Sequence, residues 1–336
     1  MTPTPVFIFS ITRSGSTLVQ RVLAAHEQVA TVSEPWLLLP FLYTLKAEGV
    51  VAEYTHPLLQ RAITDFCAEL PDGEEDYRAE LRSFVLRLYA KASAGTGAPF
   101  FLDKSPPYYF VAKEIMSLFP EGRFIFLWRN PLSIMASIVD TWLGGAWRPS
   151  AFREDLFIGL PRLVATFENS GENAMAVRFE DLLAGRQQDW RRLAAHVGFE
   201  FDPSSLTRFA EVHLNGSMGD KIGVERYHGL DRGPTCKWRG TLQNPLRVAW
   251  CRRYLRFLGA ARLETMGYSQ DALLRELAGQ RRSLSGLAPD LGRLLADLAK
   301  EPVRARIRRG GIGGPSALRE LAFAGRAGHA DPASRG

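Results

Sequence analysis

The sequence predicts an α/β protein with a central parallel sheet, a helical insertion and a helical C-terminal part. Three observations carry this. Short apolar runs rich in β-branched and aromatic residues recur along the chain, and each is followed by apolar residues at helical spacing. A polar glycine turn joins the first run directly to its helix. The chain has 336 residues, 46% apolar and 11% aromatic, enough to bury a core without disulfides or structural metals.

Val6–Ile11 (VFIFSI) is the first strand, apolar almost throughout, as a strand covered on both faces must be. Thr12–Thr17 (TRSGST) is the turn, and Leu18–His26 is a helix with Leu18, Val22, Leu23 and Ala25 at helical spacing. Further strands are expected at Val29–Ser33, Phe100–Leu102, Arg123–Trp128 and Ala174–Phe179. Residues 35–98 form a mostly helical insertion, broken by Pro71-Asp-Gly73 and Ala94-Gly-Thr-Gly97, and expected to pack over the sheet as a substrate lid. Residues 186–213 and 246–260 read as helical, with a long Gly- and charge-rich loop, Asn215–Thr241, between them. One domain is therefore expected over residues 1–300, and a flexible basic tail over 301–336, whose apolar content is too low to fold alone.

Charge and cysteine usage narrow the partners. Formal net charge is +6, but residues 221–336 carry 22 Lys+Arg against 10 Asp+Glu, so the C-terminal third is a basic pole suited to anionic ligands or surfaces. Cys67, Cys236 and Cys251 are odd in number and widely spaced, which predicts free thiols in a reducing compartment. No apolar run reaches the roughly 18 residues of a membrane span, and Met1–Pro5 lacks the basic residues of a secretory signal, so a cytoplasmic location is expected. The six histidines show no metal-binding spacing, and no metal is expected.

Arg13, Ser14, Gly15, Ser16 and Thr17 place backbone N–H groups, hydroxyls and a guanidinium at a helix N-terminus directly after a buried strand. That is either an anion site or a turn whose Ser and Thr cap the helix. The Gly-x₄-Gly-Lys-Ser/Thr string of nucleoside triphosphatases and the Gly-x-Gly-x-x-Gly dinucleotide fingerprint are both missing. A cysteine phosphatase is excluded too, because Gly73, Leu242 and Phe257 stand where its arginine belongs.

The string Phe9–Leu18 resembles the 5′-phosphosulfate loop of sulfotransferases that use 3′-phosphoadenosine 5′-phosphosulfate (PAPS). Further segments resemble that family in the same order: Ser33–Trp36, Asp103–Tyr108, Trp128-Arg-Asn-Pro131 through Ser137, Val177–Leu182, and Cys236–Arg239. The resemblance spans roughly residues 5–270, and implies a P-loop-like three-layer α/β/α fold and PAPS as cosubstrate without a metal.

By that resemblance, Arg13 steadies the sulfuryl group and the bridging oxygen, Lys104 is the second cation, and Arg129 with Ser137 holds the 3′-phosphate. The phenol and steroid branch carries a His near Asp103–Pro106, and this chain has none there. The sugar-sulfating branches place a Glu after the second strand, where Glu34 stands, so Glu34 is the expected general base, with Asp103 in reserve. Phe179 replaces a family Tyr near the adenine. Trp238 either stacks on the adenine or is ordinary core; Lys237 and Arg239 flank the 3′-phosphate, although the family's Arg-Lys-Gly string is not reproduced.

The expected acceptor is a carbohydrate or glycosylated small molecule, for which Trp36, Tyr43, Trp142 and Trp147 are candidate stacking partners. Two other readings compete. One is a P-loop-like kinase or phosphotransferase, and the other a non-catalytic binder of nucleic acid or anionic membrane in which Arg304, Arg306, Arg308 and Arg309 put the tail in peripheral contact with an anionic surface; the alternative for these arginines is a solvated tail.

Overall fold

In the computed structural model, residues 2–46, 50, 56–216, 218, 229 and 236–296 are described. Most of the expected 215–241 loop, with His228, and the 301–336 tail with its arginines lie outside them.

Five strands, β1 (Thr4–Phe9), β2 (Val29–Thr31), β3 (Phe100–Asp103), β4 (Arg123–Trp128) and β5 (Ala174–Arg178), form one sheet in the order β2-β3-β1-β4-β5. Every pairing is parallel. This is the α/β architecture that the sequence predicts. The continuous apolar runs have their explanation in the pleat: Phe7, Phe9, Phe124, Phe126 and Trp128 enter one core cluster, while Val6, Ile8, Ile125 and Leu127 enter another. Phe9 packs against Phe124 and Phe126 with centroids 5.8 and 5.3 Å apart.

The first strand lies earlier than expected. Pairing ends at Phe7↔Asp103 on one side of β1 and Phe9↔Phe126 on the other, so Ser10 and Ile11 leave the ladder although both stay buried.

Up to Val197 the α-helices among the described residues are α1 (Ser16–Ala24), α2 (Leu38–Tyr43), α3 (His56–Cys67), α4 (Glu74–Ala92), α5 (Ala112–Leu118), α6 (Pro131–Thr141), α7 (Leu160–Glu168), α8 (Phe179–Leu183) and α9 (Gln187–Val197). Between β2 and β3, α2 (Leu38, Leu42) and α4 (Leu81, Val85, Leu86, Tyr89) share the core cluster of Phe7 and Phe101. The 186–213 region is not one helix. Gly198, at φ 119°, terminates α9, and the chain resumes only in a short Ser205–Arg208 turn. The C-terminal helix is longer than expected, Pro245–Thr265, with Asn244 capping the Arg247 N–H, Pro245 in its first turn and a break at Gly259. Among the described residues, no helix is long and apolar enough to cross a membrane.

All five strands run the same way, so the segments after them gather along one carboxyl edge: 10–15, 32–36, 104–105, 129–130 and 179 onward.

Candidate active site

The loop leaving β1 carries two left-handed residues, Arg13 (φ 64°) and Gly15 (φ 91°). Gly15 is the N-cap of α1 and no side chain caps that helix, so the capping alternative left open by the sequence is not what the loop does. The first N–H groups of α1, those of Ser16 and Thr17, have no carbonyl one turn back to bond. Glycine is required for a second reason: a Cβ at position 15 would lie 2.2 Å from Cε2 of Phe179. At the loop's start, Oδ1 of Asp155 accepts the Thr12 N–H (3.2 Å) and hydroxyl (2.6 Å). Asp155 sits in a π-helical turn, Glu154–Gly159; burial pushes its carboxyl above the ordinary range, against the pull of the Thr12 bonds.

Arg13 and Arg129 cross at this loop. Arg13 Nε donates to Ser137 Oγ (3.1 Å), Nη2 to Thr141 Oγ1 (3.4 Å), and the guanidinium lies 5.4 Å from the Trp142 ring centre. Arg129, directly after β4, donates from Nη1 to the Arg13 carbonyl (2.8 Å) and lies 5.0 Å from the centre of the Phe179 ring. Asn130 caps α6 through the Leu132 N–H, and Pro131 opens it, which fixes where Ser137 emerges. Glu180 and Asp181 organise the neighbouring turn: Glu180 accepts from the Asn130 N–H (3.0 Å) and Tyr268 hydroxyl (2.5 Å), and Asp181 takes both arms of Arg178.

On the other side of the loop, Lys104 Nζ lies 2.6 Å from Glu34 Oε1 and 3.3 Å from Thr17 Oγ1. The lysine is 1% exposed and the Glu34 side chain 11%. The second Glu34 oxygen accepts the Trp36 indole N–H (3.3 Å). Trp36 has φ 53°, a left-handed conformation that costs a bulky residue about 1–3 kcal/mol, and its amide donates to Ser105 Oγ (3.1 Å).

Asp103 is enclosed. Its carboxylate accepts from the Tyr89 hydroxyl (2.6 Å), the Tyr108 hydroxyl (3.0 Å) and the Ser105 hydroxyl (3.2 Å). Burial pushes it up to about 6, while these three donors and neighbouring Lys104 hold it down.

The family model of the sulfotransferase family matches residues 5–203, more than half of the chain and all five strands. The chain belongs to the sulfotransferase family. It is an enzyme of that class, similar to the nodulation protein NoeE of Sinorhizobium fredii, 28% identical over 303 residues covering 80% of this chain and 68% of that one. It is also similar to a putative protein-tyrosine sulfotransferase of Caenorhabditis briggsae, 22% identical over 62% of this chain and 72% of that one. Among solved structures, the sulfotransferase domain of the Synechococcus PCC 7002 olefin synthase matches with a TM-score of 0.49 and 23% identity, covering 71% and 88% of the two chains.

In this sulfotransferase, Arg13, Ser137, Arg129, Lys104 and Glu34 gather around the loop between β1 and α1. Phe179 is 4% exposed and packs beneath Gly15 and Arg129, so it supports the loop and offers little ring surface to a ligand. Trp238 is buried in the core beside α6, and Arg239 lies over its ring and pairs with Glu276 at 3.0 Å; Lys237 is exposed. Of the two alternatives for Trp238, the structure shows core. Trp147 is buried, edge-on to Trp250, and cannot present a face to an acceptor.

Three further residues border the site without having been expected there: Thr141, which continues the Ser137 face one turn on, and Ser105 and Tyr108, which lie inside the Asp103–Tyr108 segment. Asp155 carried no local signal; it reaches Thr12 across 143 positions. Among the described residues, no group of three or more His, Cys, Asp or Glu is placed to hold a metal ion.

Proposed function

We propose that this sulfotransferase uses PAPS to sulfate a hydroxyl of a carbohydrate or glycosylated small molecule, with Glu34 as general base. The observation that carries this is the convergence of Glu34, Lys104 and Thr17 on one side of the loop with Arg13, Ser137 and Arg129 on the other.

The residues fit a polyanionic, phosphorylated cosubstrate. Gly15 leaves no room for a Cβ, the helix cap is bare, and three cationic side chains border the loop with Glu34 the acid bonded to Lys104. When bound, PAPS supplies an activated sulfuryl group and a phosphate leaving group. Arg13 and Lys104 balance the charge that develops on the oxygen bridging sulfur and phosphorus. Glu34 takes the acceptor's proton as the acceptor oxygen bonds to sulfur and the sulfur–phosphate oxygen bond breaks, its electron pair leaving with the phosphate. Arg129 and Ser137 hold the 3′-phosphate. Asp103 is fully buried and closed in by Tyr89, Tyr108 and Ser105, which supports Glu34 over Asp103 as the base.

A protein tyrosine is the competing acceptor, favoured by the Caenorhabditis briggsae relative and by a Drosophila melanogaster relative named a protein-tyrosine sulfotransferase. Thermal unfolding tests the cofactor. The desulfated product 3′-phosphoadenosine 5′-phosphate (PAP) at 100 times its dissociation constant adds about 2.7 kcal/mol to the folded state. A rise in Tm with PAP and none with ATP and magnesium is expected; the reverse pattern overturns the proposal.

A further inference from the structure

We infer that Trp36 binds the acceptor, giving its indole face to a pyranose ring while its N–H aims Glu34; this rests on the reading of Glu34 as base. Of the seven tryptophans in the chain, Trp36 (37% exposed) and Trp142 (46%) are the exposed ones. They differ in what their rings do. The Trp142 ring stacks on Phe152 with centroids 5.2 Å apart and carries the Arg13 guanidinium. Among the described residues, no aromatic ring or cation stacks on Trp36.

Trp36 is nevertheless held firmly. Its left-handed backbone is pinned by the bond to Ser105, which is itself anchored on the buried Asp103 carboxylate. A left-handed backbone kept for a partly exposed indole on which no ring or cation stacks points to a role outside folding. The indole N–H meets Glu34 Oε2 while Lys104 meets Oε1, so both carboxylate oxygens are directed and the carboxylate stands at the edge of the indole ring. A sugar ring lying with its C–H face on the indole extends its hydroxyls past that edge, over the carboxylate. A sugar hydroxyl is a weaker acid than a phenol, whose ordinary pKa is about 10, and depends more on an aimed base.

The test uses the full chain with PAPS, a panel of p-nitrophenyl pyranosides, and tyrosine methyl ester as the phenolic comparison; kcat and KM are measured for the best pyranoside, and PAP affinity by calorimetry. Trp36→Phe keeps a ring and loses the N–H: KM should stay within about threefold and kcat fall at least about tenfold. Trp36→Ala loses both, so KM should also rise at least about tenfold. PAP affinity should be unchanged in both variants, which also shows that they fold. Wild-type kcat and KM in Trp36→Ala overturn the inference, as does PAP-competent enzyme that sulfates the phenol and none of the pyranosides. Failure of the wild type to bind PAP overturns the cofactor reading instead, so the two failures are distinguishable.

Discussion

Lys104 and Glu34, 70 positions apart, meet at 2.6 Å at the carboxyl edge of the sheet, with Lys104 almost wholly buried. The pair joins the segment after β2 to the segment after β3, two neighbouring strands, and sets a carboxylate and an ammonium beside the hydroxyl of Thr17. A buried cation with one partner removed is strongly destabilising, so the two side chains fix each other's position. The carboxylate proposed as the base is thereby held next to the cation proposed to face the leaving group.

Glu34→Gln keeps the shape of the pair and removes the base. Turnover should fall about 10²–10⁴-fold while PAP affinity changes by less than about threefold. Steady-state kinetics with calorimetric PAP titration checks this, and near-normal kcat in the variant would assign the proton to another group.

Arg129→Ala should act on affinity first. A hydrogen bond to a charged group contributes about 1.5–3 kcal/mol, so PAP binding should weaken about 10–100-fold. Because the assigned ligand group is the 3′-phosphate, binding of 5′-AMP, which lacks it, should weaken much less. Equal losses for the two nucleotides would move Arg129 to the 5′ side.

Gly15→Ala meets two penalties, a left-handed backbone and the Phe179 ring. Together they should cost about 2–5 kcal/mol of stability. In a denaturant-melting double-mutant cycle with Phe179→Ala, the two losses should be less than additive, since removing the ring relieves the clash but not the backbone strain. Strict additivity would show that the ring does not bear on position 15.

Asp103 makes a pH-dependent prediction. Its folded-state pKa, about 6, lies above the ordinary 3.8 because of burial, so between about pH 4 and 6 the folded state binds more proton than the unfolded chain. Stability from this group is therefore highest below pH 4 and declines as pH rises towards 6. Asp103→Asn stays neutral throughout, so its Tm relative to wild type should become more favourable from pH 4 to pH 7. A difference moving the other way would mean that the three hydrogen bonds outweigh burial.

Much of the fold was legible because strand burial is a local pattern. Val6 to Phe9 and Phe124 to Trp128 read as strands since apolar residues point to both faces, and the pleat sends alternate side chains into two separate cores. Helix ends were less legible. Gly198 stops α9 because its backbone is left-handed and the Phe100 ring leaves little space for a Cβ, a contact that local sequence does not carry.

The same division holds for the site. The sequence by itself determined that Arg13–Thr17 is a glycine turn between a buried strand and a helix, because backbone amides at a helix start and glycine are local chemistry, while Arg129, Ser137, Glu34 and Lys104 were singled out by the family resemblance. Only the tertiary structure decided that Lys104 pairs with Glu34, that Asp155 holds Thr12, that Asp103 is sealed beneath Tyr89 and Tyr108, and that Trp238 is core while Trp36 is open. Parallel strands bring remote segments to one edge, and which of their side chains then touch, and which are cut off from water, is set by packing between segments that the sequence keeps far apart.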